Sequence, residues 1–579
     1  KQVSACLDLI NIELDKVVRK RFFSNDQISW KIEGPFDSNY SLALVNSYFT
    51  KALAEKVNTI SIHITEGFGD YKPDIEYLKK DKFLYSLFKS KNSFDSKSIF
   101  LSRNLYPPRV DDMSQFLNML HAYGWEESGF PSEWVQKFNS SLQCITVMSS
   151  EVRKILIDNG VNIPIKVCGL GLDHINKVKQ DNKFYISAKS YKILHISSCF
   201  PRKGVDLLLE AYFRAFNYDD NVSLIIKTFD NPHNNIEEDL IKLQQNNKNS
   251  PDVKIIKDDL SLAQLKSLYL QSNVLVAPSR GEGFGLPIGE AMQLGIPVIT
   301  TAWGGQRDFC NDSNCWLVDY EYSKSKTHFN LEFSYWAEPS LDHLTAQLKN
   351  VYSSDPSQIL SKTKLAQQTA RSFSWDKVSL LNKSFACDSI THINPKMTKI
   401  GWVSTWNSKC GIASYSHHLV EKIHSEIIIF SPYDEPNILD NDLKVIPSWH
   451  LNSENLYGLE NLSNEIISQE ITTLVIQFNY GFFDFKEFNQ FIKKLKSYNI
   501  NLIIFLHSTQ DPIDDPSKAL SLISESLRLF DRLMVHTIAD LNRLKSFGLI
   551  ENVCLFPHGI LDYNPSKPNP FSFRQLGKI

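Results

Sequence analysis

A chain of 579 residues exceeds what one hydrophobic core normally organises, so roughly three or four domains are expected. Hydrophobic residues at 42% and charged residues at 22% exclude wholesale disorder. With 62 Lys and Arg against 65 Asp and Glu, the net charge of −3 argues against a dedicated nucleic-acid binder.

In chain order, residues 1–26 read as a helical lead-in. The strand Ser29–Glu33 then runs into the turn Gly34-Pro35-Phe36, a helix from Tyr40 to Val57 and the strand Thr59–Ile64. The clearest alternation follows later. Strand Lys192–Ser197 leads to a helix from Val205 to Phe216, strand Ser223–Thr228, helical residues Glu237–Leu243 and strand Val253–Ile256. A helix at Leu262–Leu270, strand Val274–Ala277, a helix at Pro287–Leu294 and strand Pro297–Thr300 complete it. Apolar strands separated by helices imply a doubly wound parallel sheet. The same grammar returns after Asn394-Pro395-Lys396: strand Lys399–Ser404, a helix at Ile412–Ile423, then strands Glu426–Phe430, Thr473–Phe478, Leu502–Leu506 and Arg532–Val535. The expected organisation is α/β, with Rossmann-like units at 27–185, 186–385 and 398–579 and a linker at 386–397.

The nine cysteines are scattered without a C-x-x-C pair, which argues against a disulfide framework or a structural zinc site and fits reduced cytosolic thiols. Apolar runs are strand-length, too short for a membrane span of about 20 residues. Residue 1 is Lys, and the chain is expected to be cut from something longer.

Two constellations carry chemistry. In Ser279 to Glu290, a strand runs into Gly283 and Gly285 and then a helix with Pro287 in its first turn. The glycines admit a ligand close to the backbone, and the helix start favours a phosphate. Glu282 and Glu290 beside such a site suit sugar hydroxyls. A lone G-x-G usually marks only a tight turn; here strand, helix start and two carboxylates coincide. The second constellation, Ser197 to Gly204, follows Lys192–Ser197 at the carboxyl edge of the same sheet, where open α/β sheets bind ligands. Arg202 and Lys203 suit a diphosphate, with Lys227 as a third cation at that edge.

These residues resemble the GT-B glycosyltransferases, specifically the family-4 retaining enzymes. The resemblance covers 27–385 and rests on the E-x7-E pair Glu282/Glu290, the Pro-Arg-Lys-Gly turn and Gly304-Gly305. It extends to G-P-F-D-x-x-Y-S-L-A from Gly34, N-L-Y-P-P-R from Asn104 and W-E-E-S-G-F-P from Trp125, phrases similar to polysaccharide-building members, many of them mannosyltransferases. Phe373-Ser374-Trp375 resembles the start of the helix by which such chains cross back to the first domain. The resemblance implies a GT-B fold of twin Rossmann-like sheets plus a third Rossmann-like domain. It implies that Arg202 and Lys203 stabilise the leaving nucleoside diphosphate, that Glu282 lies near the donor sugar, and that Glu290 holds the ribose hydroxyls. Lys227, Gly283, Phe284, Gly285 and Leu286 complete the donor site. Family members carry an Arg several residues before the Lys; Ser198 stands there in this chain, so the role passes to Arg202. Acceptor-side candidates are Gly34, Tyr40, Ser41, His121 and Glu126, with Glu127 and Arg109 behind them.

The third unit resembles the N-terminal half of another such enzyme, through Ser404 to Ser416, Gln477 to Phe483, Leu506 to Thr509 and Phe556 to Gly559, with His507 and His558 just after strands. No second E-x7-E module follows, so this half either belongs to a longer chain or serves packing or acceptor guidance. Asp440-Asn441-Asp442 has D-x-D spacing but sits in a polar loop, and no metal and no cofactor are expected. The implied activity is transfer of a sugar, mannose from GDP-mannose being favoured over a UDP-linked donor, to a glycan or lipid-linked oligosaccharide. The expected location is the cytoplasm, extending to peripheral contact with the inner face of the cell membrane. Competing readings are a glycan-binding scaffold of retired transferase domains, a GT-B phosphorylase or an epimerase.

Overall fold

The computed structural model describes residues 29–38, 40–90, 99–391, 398–423, 425–433, 443–451 and 459–559. The expected lead-in at 1–26 and Asp440–Asp442 lie outside them. The chain divides into two compact units between residues 394 and 395.

The first unit holds two lobes, each built on a six-stranded parallel sheet. In the first lobe β1 (Ser29–Gly34), β2 (Thr59–Ile64), β3 (Ile99–Arg103), β4 (Leu117–Tyr123), β5 (Cys144–Val147) and β6 (Ile165–Val167) lie in the order β2-β1-β3-β4-β5-β6. The central β4 is buried at every position. Such strands read as unbroken apolar runs because helices cover both faces.

The second lobe contains β7 (Tyr191–Ile196), β8 (Val222–Lys227), β9 (Asp252–Ile256), β10 (Val274–Ala277), β11 (Val298–Thr301) and β12 (Trp316–Val318), ordered β12-β11-β10-β7-β8-β9. Counted from β7 this is the doubly wound order, and it reverses between β7 and β10. An antiparallel hairpin of β13 (Tyr320–Lys324) and β14 (Tyr335–Pro339), which the sequence reading does not anticipate, follows.

The helix Trp375–Thr391 returns to the first lobe. Its Asn382 Oδ1 accepts from Thr146 Oγ1 of β5 at 2.5 Å, and Lys383 Nζ donates to the Lys56 carbonyl at 2.5 Å. The donor domain expected to end at 385 therefore hands the chain back at Trp375. The reason is burial: Trp375 and Val378 are enclosed and join the hydrophobic core that spans both lobes.

In the second unit a seven-stranded parallel sheet comprises β15 (Lys399–Val403), β16 (Glu426–Pro432), β17 (Lys444–Trp449), β18 (Thr473–Phe478), β19 (Asn501–Leu506), β20 (Arg532–Val535) and β21 (Val553–Leu555). Its order, β17-β16-β15-β18-β19-β20-β21, again reverses beside the first strand.

Candidate functional site

Loops after β7 and β10 flank the point where the second sheet reverses order, and they carry the two constellations. After β7, residues Pro201–Lys203 form a single tight helical turn closed by Gly204, whose φ of 65° lies in the left-handed region. That glycine's Cα faces the Pro278 carbonyl so closely that a Cβ would stand 2.1 Å from its oxygen. The two loops therefore touch, and only glycine satisfies both demands.

Their side chains meet as well. Lys203 Nζ lies 2.6 Å from Glu282 Oε1, and Ser279 Oγ donates to the same oxygen at 2.7 Å. Arg202 NH1 stands 3.9 Å from Glu282 Oε2 and donates to the Gly281 carbonyl at 3.3 Å. Arg202 NH2 reaches Glu126 Oε1 of the first lobe at 3.1 Å. Burial works to raise the Glu282 carboxyl, but Lys203 and Arg202 outweigh it and hold it below its ordinary 4.5. Burial, with Arg202 beside it, lowers the Lys203 ammonium despite the opposing pull of Glu282. Two cations and two carboxylates thus form one nearly neutral cluster. A diphosphate entering it would replace carboxylate partners with phosphate oxygens, leaving the cations already in position.

Arg280 shows why the loop holds its shape. Its guanidinium donates to both oxygens of Asp206 at 2.8 Å, and to Glu338 of β14 at 2.7–2.9 Å. It ties the Pro201–Lys203 turn to the hairpin. Sequence reasoning passes over Arg280, although its place between Ser279 and Glu282 is the only local signal.

The carboxylate of Glu290 sits elsewhere. The helix Leu286–Gln293 starts at Gly285, and Glu290, 3% exposed, points into its buried side. His174 Nε2 lies 2.9 Å from Oε1 and Tyr269 OH donates to Oε2 at 2.8 Å. Trp375 Nε1 donates to His174 Nδ1 at 3.2 Å, so Nε2 carries the hydrogen that faces Glu290. Glu290 thus anchors a buried network with His174 and Tyr269, and the remaining lone pairs of its carboxylate are what a ribose hydroxyl would meet. Its partners His174 and Tyr269 carry no signal in the sequence, and Trp375 is marked there only as the start of the return helix.

Other expected residues separate similarly. Lys227 ends β8, donates to the Thr228 carbonyl at 2.8 Å, and is lowered by burial against the pull of Asp259 and Asp258 rather than drawn to Glu282. Gly283 backs onto Met148 and Trp125 of the first lobe. The Phe284 ring is buried against Phe309 and Phe373, while Leu286 is partly buried against the same core.

On the first lobe, Gly34 ends β1 with Asn46 and the Asn104 carbonyl packed against its Cα. Tyr40 is half-exposed and its hydroxyl bonds Glu66; Ser41 opens the helix Ser41–Ala54. His121 lies in the core of the first lobe. It is fully buried, stacked on Phe49 at 4.4 Å, with Nε2 2.9 Å from Asn46 Oδ1, and burial lowers it to about 3. Its Nδ1 is buried without a hydrogen-bond partner. Arg109 is held by Asp112 and donates to Thr65 Oγ1 at 2.7 Å.

Glu127 is also enclosed, accepting from Ser325 at 2.8 Å, Thr327 at 2.7 Å and Ser334 at 2.6 Å. These hydroxyls lie on the loop joining β13 to β14, so Glu127 fastens that end of the hairpin to the first lobe, while Arg280 holds Glu338 near the other. A separate cavity of about 200 Å³, lined by Cys168, Gly169, Phe373 and Lys377 among others, contains none of the expected site residues. Among the described residues no helix is long and apolar enough to cross a membrane.

Residues 176–326 match the family model for glycosyl transferases group 1. No curated protein sequence matches the chain. Among solved structures, similar chains include a sucrose-phosphate synthase from Thermosynechococcus elongatus (15% identity, TM-score 0.47, 62% of this chain and 98% of that one). A glycosyltransferase from Rickettsia africae ESF-5 is 16% identical (TM-score 0.46, 63% and 99%). Anabaena HepE in complex with UDP and glucose is 14% identical (TM-score 0.44, 62% and 99%). The twin doubly wound lobes form a GT-B fold, and the segment similar to the group 1 model, residues 176–326, falls mostly in the second of them.

Proposed function

We propose that the first unit is a retaining glycosyltransferase that takes a sugar from a nucleoside diphosphate donor and passes it to a glycan hydroxyl. The observation that carries this reading is the Arg202–Lys203–Glu282 cluster beside the sheet's reversal point, inside the segment matched by the group 1 model. Cleaving the glycosyl–phosphate bond sends its electron pair to the diphosphate and leaves positive charge on the sugar carbon. Arg202 and Lys203 stabilise the departing anion, a role that needs no metal. The acceptor hydroxyl attacks on the face the diphosphate leaves, and its proton passes to the leaving phosphate oxygen. Glu282, held ionised between two cations and Ser279, faces the sugar's side of the cluster.

GDP-mannose is the proposed donor and a surface glycan or lipid-linked oligosaccharide the proposed acceptor. Sugar transfer assayed over a panel of GDP-, UDP-, ADP- and TDP-sugars tests this. Turnover confined to GDP-mannose supports the full reading, turnover with another donor replaces the sugar, and turnover with none removes the activity.

A further inference from the structure

At the carboxyl edge of the third sheet, three histidines that follow three successive strands converge. His507 follows β19, His536 follows β20 and His558 follows β21, and one nitrogen from each ring lies within 4.8 Å of the others. The rings of His536 and His558 are 3.8 Å apart, and those of His507 and His536 are 5.4 Å apart. Tyr415, on the helix Gly411–Val420, packs its ring 5.1–5.8 Å from all three.

Hydrogen bonding leaves lone pairs directed inward. His536 Nδ1 faces the Phe556 carbonyl at 2.8 Å and must donate to it, so Nε2 is the unprotonated nitrogen. That Nε2 is buried without a hydrogen-bond partner, on a residue 9% exposed. His507 Nε2 donates to Gln477 Oε1 at 2.8 Å, which leaves Nδ1 with its lone pair. An imidazole whose second nitrogen donates to a carbonyl is the arrangement that orients metal-ligating histidines. The Tyr415 hydroxyl and Gln477 Nε2 are likewise buried without partners.

We propose that His507, His536 and His558 bind a zinc-like divalent transition metal, with the Tyr415 hydroxyl beside its fourth position. Three imidazoles and no carboxylate suit zinc rather than magnesium or calcium. Tetrahedral coordination at about 2.0–2.1 Å sets nitrogens about 3.4 Å apart, so the trio closes inward, chiefly by rotation of the exposed His558 out of its stack on His536. The site departs from the sequence expectation of no metal. It lies in the second unit and does not depend on the transfer reaction proposed for the first.

Cobalt(II) titrated into the chelator-stripped full chain tests this, because a tetrahedral nitrogen site gives intense visible absorption. The expected result is one equivalent bound and displaced by zinc. Affinity should fall at least tenfold in both His536→Ala and His558→Ala, and remain unchanged in His417→Ala, which disturbs the exposed His417, His418 and Glu421 group instead. His558 lies at the surface, so its variant should melt at the wild-type temperature without metal, separating site loss from misfolding. No visible absorption with wild type, or absorption that survives in both His536→Ala and His558→Ala, overturns the proposal.

Discussion

The second and third sheets share one strand order about their first strands, yet their carboxyl edges carry opposite chemistry. At the second sheet's edge Arg202, Lys203, Glu126 and Glu282 neutralise one another in ion pairs that a charged ligand would exchange. At the third sheet's edge His507, His536, Tyr415 and Gln477 gather without a formal charge pair, several of their polar atoms lacking partners. Both clusters sit at carboxyl strand ends, the charged one beside its sheet's reversal point and the histidines beyond β19, β20 and β21, away from theirs. A few residues after each strand decide what kind of ligand each edge suits.

Breaking the charged edge should have the largest effect. Lys203→Ala removes a cation from the departing diphosphate and should lower kcat/KM for sugar transfer by about 10²–10³-fold, measured at saturating acceptor. Arg202→Ala should cost less, because Arg202 is more exposed and shared with Glu126. Equal losses would mean that the two cations act as one unit.

A second contrast lies within the E-x7-E pair. Glu290→Ala leaves His174 and Tyr269 buried without their acceptor, and should destabilise the first unit by about 2–4 kcal/mol in denaturant unfolding. If Glu290→Ala abolishes nucleotide binding at unchanged stability, its role is contact with ligand rather than anchoring.

The hairpin offers a milder break. Glu127→Ala leaves the buried Ser325 and Ser334 hydroxyls, and that of Thr327, without their acceptor, and should cost about 1–2 kcal/mol. Amide exchange across Ser325–Ser334 should accelerate; unchanged exchange would show that Arg280 alone secures the hairpin.

Acid dependence gives the smallest and most specific signal. Glu282 in the folded state titrates below its ordinary 4.5. Its stabilisation is therefore present above 4.5 and lost as pH falls through the folded value, where the unfolded chain binds more protons. Glu282→Gln should flatten the stability profile below pH 4.5 and leave its shape above that unchanged.

Much of this was legible in the sequence. Strands such as β10 and β18 read directly because burial on both faces demands unbroken apolar runs. The approach of Arg202 and Lys203 to Glu282 followed from their positions after neighbouring strands. What stayed hidden depends on distant partners. Glu290 meets His174 116 residues away, and Trp375 fixes that histidine from a helix belonging to the return crossing. His121 looks like any strand-end histidine until Phe49 and Asn46 enclose it. The short Tyr320–Lys324 strand alternates polar and aromatic residues, and its pairing with β14 is set by Arg280 and Glu127 outside it.

The most direct measurement is calorimetric titration of GDP and UDP into the full chain and into Lys203→Ala. Saturable binding of at least one nucleotide to wild type, weakened at least tenfold by the substitution, is the expected result. Binding that is indifferent to Lys203, or none with either nucleotide, would contradict a diphosphate seat between the β7 and β10 loops.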